Sequence, residues 1–474
     1  MNMKKILAII LVIAAFPACQ RFTEITPKGA NILSRVSDLD LLLNYNFSSG
    51  DANSAQTAFS PNDVGNLVND IYAYTTNIPS LITTRPQTLN YAYTVYDATV
   101  DRKLLAVTDA KYEKMYFIIN NVCNVIIKNA DKATGDREKA DQYKAEAYIL
   151  RAYMHYLLVN LYAKGYDPAT AATDPGIPYV KEDNVISEPN KKSTVAEVYA
   201  NIQADVDAAF QLNSLPRIPV NNMRVGLAFA YGVKAQVLLT VRQYADALTA
   251  AQQSLNIDSV LTDDRLYAPV GTTGFVKPVV TPAENLFYIG AGGSPTAASV
   301  SLEITNEIYE PGNIINSYVQ PYYNMDNPFS GLPGSKLWIS QGGVYAINTA
   351  GLTTSDTYLI KAECHARGGN LEEALRIINK IRERRIHPDV YAPVTANTEA
   401  GVMALLMRTS RIELLYSMRN FFNIKRWNTE PAYAQTITRT VSGVTYSLEP
   451  GSPLWIFPFP QSATNYNKEL TQNY

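Results

Sequence analysis

Histidine and cysteine are scarce in this chain: three of each in 474 residues. No H-E-x-x-H, C-x-x-C, G-x-S-x-G or Walker pattern occurs, so the familiar metal, redox, acyl-transfer and nucleotide chemistries have no motif to stand on. Three cysteines cannot staple a scaffold, and a chain of this length buries enough core to need none. Charge is also sparse, at 18% of residues, and nearly balanced at a formal −2. That lacks the basic footprint of a nucleic-acid-binding protein. A hydrophobic content of 47% excludes general disorder. Long apolar runs are missing as well. Ile6–Phe16 gives 11 residues, short of the roughly 20 a spanning helix needs, and nothing downstream is long enough.

What the chain has instead is tyrosine: 32, against 14 Phe and 3 Trp. Such residues offer an apolar face and a polar edge together.

The N-terminus reads as an export address. Lys4 and Lys5 precede the apolar run, and Phe16-Pro17-Ala18 leads directly to Cys19. A cysteine just after such a run, with a small residue before it, resembles a lipobox. Cys19 is then the acylated first residue of the mature chain. The alternative is plain cleavage near Ala18 with Cys19 a bystander. Multiple acyl chains anchor a protein stably where one does so marginally. Removing Met1–Ala18 leaves 39 basic against 43 acidic residues. Cys123 and Cys364 lie on separate apolar helical stretches and read as buried free thiols.

Helical periodicity dominates the rest. Residues 20–50 read as a tether entering a first helix, with Ser37-Asp38-Leu39-Asp40 as capping residues before Leu41–Leu43. Residues 51–100 read as loop-rich and aromatic. One helix is predicted over 109–129, and a second, apolar on most sides and so buried, over about 137–162. His155 sits on that second helix, His365 on a later one, and His387 just past a helix end. The Pro-, Asp- and Gly-rich stretch 165–189 reads as a loop, and Thr194-x-x-Glu197 opens a helix with a capping box. Two helix pairs then share one pattern: Ala235 lies twelve residues before Ala247, and Ala362 twelve before Ala374. Small residues at that spacing are the tetratricopeptide signal. Between the pairs, about 259–350 reads as an insertion of loops and short strands, and Gly290–Pro295 within it as a turn. A last helix is predicted over 404–427, then a polar, strand-prone stretch.

Several segments together resemble the SusD/RagB family of bacterial outer-membrane lipoproteins. They are Cys19 through Pro27, Ser37–Phe47, Ala145–Tyr162 followed by Gly176–Val180, Arg411–Leu414 with Arg419–Trp427, and Phe457–Pro460 through Gln472-Asn473. Ser417-Met418 and Asn423 depart from the family pattern. The resemblance implies a mainly α, SusD-like fold with imperfect tetratricopeptide helix pairs and a loop-rich insertion carrying short strands. It implies a signal peptide over 1–18 and a single domain over 19–474. Scaffold helices would span about 109–258 and 354–428, with ligand-facing loops at about 51–100 and 259–350. It also implies no cofactor and a partner, a SusC-type TonB-dependent outer-membrane barrel, to which a captured oligosaccharide or peptide is passed.

The candidate ligand residues are loop aromatics: Tyr72, Tyr74, Tyr322, Tyr323 and Trp338. Phe329, Asn324, Asp326, Asn327, Ser335 and Lys336 lie near the later ones. A sugar presents a C–H face on which a ring stacks, and hydroxyl edges that amides and charged groups bind. Glu146 and Arg151, and the group Arg411, Glu413, Arg419, Arg426 and Trp427, read as ion-paired networks of helix packing. Two other readings stand beside capture: a surface glycoside hydrolase, whose carboxylates need only spatial proximity, and a tetratricopeptide assembly scaffold.

Overall fold

The computed structural model describes residues 33–47, 58–72, 77–184, 188–267, 283–290, 299–319, 330–337 and 348–474. In chain order the principal elements begin with α1 (Val36–Leu43), α2 (Asn62–Leu67), β1 (Ile71–Tyr72), α3 (Ile78–Thr84), α4 (Leu89–Val95) and α5 (Arg102–Leu105). Then come α6 (Ala110–Ile118), α7 (Asn124–Asn129), α8 (Arg137–Tyr162), α9 (Val195–Gln211), α10 (Leu227–Thr240) and α11 (Tyr244–Ile257). Short strands follow: β2 (Asn285–Phe287), β3 (Ser299–Val300), β4 (Lys336–Leu337) and β5 (Leu352–Thr353). The chain finishes with α12 (Thr354–Arg367), α13 (Leu371–Glu383), α14 (Glu399–Glu413), α15 (Met418–Trp427) and the hairpin β6 (Ile437–Val441)–β7 (Val444–Leu448). The architecture is mainly helical, with the imperfect helix pairs and short strands the sequence leads one to expect. Among the described residues no helix is long and apolar enough to cross a membrane.

The long helix α8 runs over Arg137–Tyr162, and almost every residue from Ala145 onward is buried. It starts where Asp136 accepts a hydrogen bond from the Lys139 amide, the usual way to satisfy an orphan donor. The Thr194–Glu197 capping box forms as expected at α9. The two alanine-marked pairs are α10–α11 and α12–α13, each joined by a short turn. Arg242 at φ +63° and Gly369 at φ +80° turn the chain in the left-handed region. Ala235, Ala247, Ala250 and Ala251 share one buried cluster with Ile360 and Cys364 of α12. The two pairs, far apart in sequence, therefore stack directly, and their small side chains allow the close approach.

Between the pairs the chain leaves as the insertion and returns through β5, which pairs with β2 (Phe287↔Leu352). Gly351 is required at that seam. A Cβ there would run into the Phe287 carbonyl oxygen and would sit 2.6 Å from Asn348 Oδ1.

Four sequence expectations change. Residues 58–105 hold short helices, α2 to α5, rather than loops alone. The first helix begins at Val36, with Asp38 as its third residue bonding back to the Arg35 amide at 3.0 Å, so Ser37–Asp40 lies inside the helix. The predicted helix 109–129 carries a π-helical turn over Ile119–Cys123. The predicted helix 404–427 is two helices, because Tyr416 takes φ +63° and the Met418 amide bonds to the Thr349 carbonyl at 2.8 Å. Both Cys123 and Cys364 are buried free thiols.

Candidate functional site

The site is built on a three-stranded sheet ordered β1-β3-β4. β3 is antiparallel to both neighbours: Ile71 pairs with Val300 and Tyr72 with Ser299 on one side, Ser299 with Leu337 and Val300 with Lys336 on the other. β1 and β4 therefore run in the same direction and leave the sheet at the same end. Two residues past β1 stands Tyr74; the residue after β4 is Trp338. The early aromatic region and the insertion are thus tied together where the sequence places candidates from both. Tyr74, Tyr322, Tyr323 and Trp338 themselves lie outside the described residues, as do Phe329, Asn324, Asp326, Asn327 and Cys19.

Tyr72 is described, and it corrects an expectation. It is a strand residue only 3% exposed, not a loop platform. Its ring packs with Ile78, Leu332 and Val441, and its hydroxyl accepts from the Leu302 amide at 2.9 Å. Burial pushes its phenol above the ordinary value. Tyr93 and Tyr96 are likewise buried, and burial pushes the Tyr96 phenol up to about 12. These three rings bind the early helices, the insertion and the C-terminal hairpin into one frame. Ser335 is buried beside them, within reach of Ser330.

Beneath the sheet lies a buried polar lattice. Arg411 of α14 donates to Asp70 at 2.9 Å and to Glu303 at 3.1 Å. Asn420 Nδ2 reaches the second Asp70 oxygen at 2.8 Å. Asn69, in the left-handed region at φ +55°, donates to Glu303 at 2.9 Å and to the Thr438 carbonyl at 2.8 Å. Arg439 donates to Asn69 Oδ1 at 3.0 Å and to the Thr94 carbonyl at 2.8 Å. Burial pushes the Asp70 carboxyl up, while Arg411 and Asn420 pull it back. Charges this deep persist only when paired and hydrogen-bonded. The lattice fixes the flanks of β1 and β3 to the helical scaffold. The sequence marks Arg411 as a networked residue but conceals Asp70, Glu303 and Arg439, whose partners are hundreds of positions away.

The other polar groups on the helices are structural, as expected. Glu146 pairs with Arg224 at 2.8 Å, and Arg151 with Asp205 at 2.7 Å and with Glu182. Glu363 takes both terminal nitrogens of Arg426 at 2.7 Å and the Trp427 indole N–H at 3.1 Å; the paired arginines hold its carboxyl below the ordinary value against the penalty of burial. Glu413 accepts from Arg385 at 2.8 Å, and Arg419 pairs with Asp356 at 2.7 Å. His155 stacks on Tyr179 at 3.8 Å between centroids and accepts from the Val180 amide at 3.1 Å. Its burial lowers its pKa to about 3. Among the described residues no group of His, Cys, Asp and Glu is arranged to hold a metal.

A helical-repeat scaffold bearing a small sheet built from distant parts of the chain defines the class of molecule. Two family models match it in succession: "Starch-binding associating with outer membrane" over residues 57–239, and "SusD family" over 339–474. Both models are of SusD type, the family the sequence resembles. Solved structures agree in fold. A SusD superfamily protein from Bacteroides vulgatus superposes with a TM-score of 0.70 at 18% identity, covering 93% of this chain and 98% of its own. One from Bacteroides thetaiotaomicron gives 0.68 at 18% identity, with 93% and 100% covered. A SusD-like carbohydrate binding protein from Bacteroides vulgatus gives 0.66 at 16% identity, with 93% and 98% covered. No curated protein matches the chain.

Proposed function

We propose that this protein is a surface lipoprotein of the outer membrane. In this reading it captures an oligosaccharide non-covalently and delivers it to a SusC-type TonB-dependent barrel. The observation that carries the reading is the β1-β3-β4 sheet. It points the strands that lead to Tyr74 and Trp338 in the same direction, one strand apart, over a foundation locked by Arg411 and Arg439. Aromatic rings and polar side chains held on rigid elements are what a sugar site requires. The family description, with starch binding and outer-membrane association in its name, supports both the ligand class and the location. The carbohydrate-binding relative of the same fold supports the ligand class.

Cys19 carries the anchor in this reading, and Tyr74, Tyr322, Tyr323 and Trp338 the stacking faces. The domain plan is the one the resemblance implies, residues 19–474 acting as one unit after removal of 1–18. The protein binds and does not cleave. Calorimetry of the purified chain against oligosaccharides and peptides tests the ligand class: saturable heat with a glycan is expected, and heat with peptides alone overturns it. Radiolabelled palmitate incorporated by wild type and not by Cys19→Ala is expected of the anchor, and equal labelling overturns that part. Release of shortened glycan during incubation overturns the non-enzymatic reading.

A further inference from the structure

A second concave surface lies on the helical scaffold, away from the sheet. Helices α9, α10 and α11 enclose an open cleft of about 600 Å³. α10 forms its floor with Val237 and Leu238, because α9 packs on α8 and α11 on α12, leaving a gap between α9 and α11. Its wall carries an aromatic pair, Phe210 of α9 and Tyr231 of α10, with ring centroids 4.7 Å apart and both rings half-buried. Lys234, one turn along from Tyr231, lies 5.3 Å from the centre of the Phe210 ring and pairs with Asp207 at 2.9 Å. The opposite wall belongs to α11, where Asp246 and Gln253 line the cleft.

We infer that this cleft is a second saccharide-binding site, independent of the loop aromatics; the choice of ligand class rests on the proposed function. Three features select a sugar. The volume falls within the range of small-molecule sites, roughly 300–1,000 Å³. Its floor is aliphatic and uncharged, formed by Val237 and Leu238. Its single cation is paired with Asp207 and Asp246 adds a second carboxylate to the lining, so an anionic ligand gains little. What remains is an aromatic wall for the C–H face of a pyranose, with planar amide and carboxylate groups opposite for its hydroxyls. A second site on the same molecule raises the effective concentration of a glycan long enough to reach both.

Saturation-transfer NMR on residues 20–474 with maltoheptaose, cellohexaose and xylohexaose tests this. The proteins compared are wild type, Trp338→Ala, Tyr231→Ala, Tyr231→Phe and the Trp338→Ala/Tyr231→Ala double variant. In the Trp338→Ala background residual glycan binding is expected, and adding Tyr231→Ala weakens it about tenfold, the scale of one lost aromatic contact. Tyr231→Phe, which keeps the ring, binds as wild type. If the double variant binds as well as Trp338→Ala alone, the second site is overturned and the proposed function stands. If Trp338→Ala alone abolishes all binding, the second site is again overturned. If the wild type binds none of the three glycans, both readings fall. Gln253→Ala, on an exposed position, repeats the test should Tyr231→Ala prove unstable.

Discussion

Arg411 shows how a single side chain can hold a site together without touching a ligand. It is 5% exposed and joins Asp70, Glu303 and the Val68 carbonyl, groups drawn from two distant parts of the chain. Removing one partner of such a pair leaves the other as an uncompensated buried charge, at a cost of about 3–5 kcal/mol. Arg411→Ala is therefore expected to lower unfolding stability by about that amount in urea titration; a loss under about 1 kcal/mol, the scale of an exposed pair, contradicts the lattice. His155 makes a different prediction at the same scale. Burial holds its pKa at about 3, against roughly 6.5 when unfolded. The unfolded chain takes up a proton first, so stability from this group is full above about pH 6.5 and is lost as pH falls toward 3. His155→Gln should flatten that part of the stability–pH curve; an unchanged slope would contradict the assignment.

At the scale of elements, the helices were legible because their signals are local. The α8 boundaries, the Thr194–Glu197 box and the alanine spacings of both pairs are written within a few turns of sequence. What was not legible depends on distant partners. Nothing within residues 404–427 announces the break at Tyr416, since the Met418 amide is claimed by Thr349 from another part of the chain. Tyr72 read as a loop aromatic because no helical or strand periodicity surrounds it; its burial comes from Leu332 and Val441, far along the sequence. Two predictions belong to this scale. Lys425 of α15 caps the end of α8, its Nζ donating to the Asn160 carbonyl at 2.8 Å and the Ala163 carbonyl at 2.5 Å, where a cation also meets the helix dipole favourably. Burial nevertheless lowers its pKa to about 7, against roughly 10.4 unfolded. Between those values the unfolded chain binds more protons, so this residue makes stability rise from pH 7 toward 10. Lys425→Met should remove that rise in thermal melts at pH 7 and pH 9, and an equal rise in the variant would contradict it. Gly351→Ala must displace backbone at the β2–β5 seam and should cost about 1–3 kcal/mol, read by chemical denaturation; a neutral effect would mean the seam is loose.

At the scale of the molecule, one continuous cluster of buried side chains runs from Leu39 to Leu470, and the helix pairs are its frame. The tyrosine excess resolves into two uses. Most described tyrosines pack the scaffold, as Tyr112, Tyr153, Tyr156 and Tyr162 do. The strands β1 and β4 end immediately before the segments that carry Tyr74 and Trp338. Near-neutral charge fits an uncharged ligand, since a glycan brings no field to complement. The most direct measurement is one calorimetric titration series on residues 20–474, using a glycan that the wild type binds, with Tyr74→Ala, Trp338→Ala and Tyr72→Phe side by side. The account predicts that Tyr74→Ala and Trp338→Ala each weaken binding about tenfold, the scale of one lost stacking contact. Tyr72→Phe, altered only inside the frame, should bind as wild type. Wild-type affinity in both alanine variants, or a loss confined to Tyr72→Phe, would contradict it.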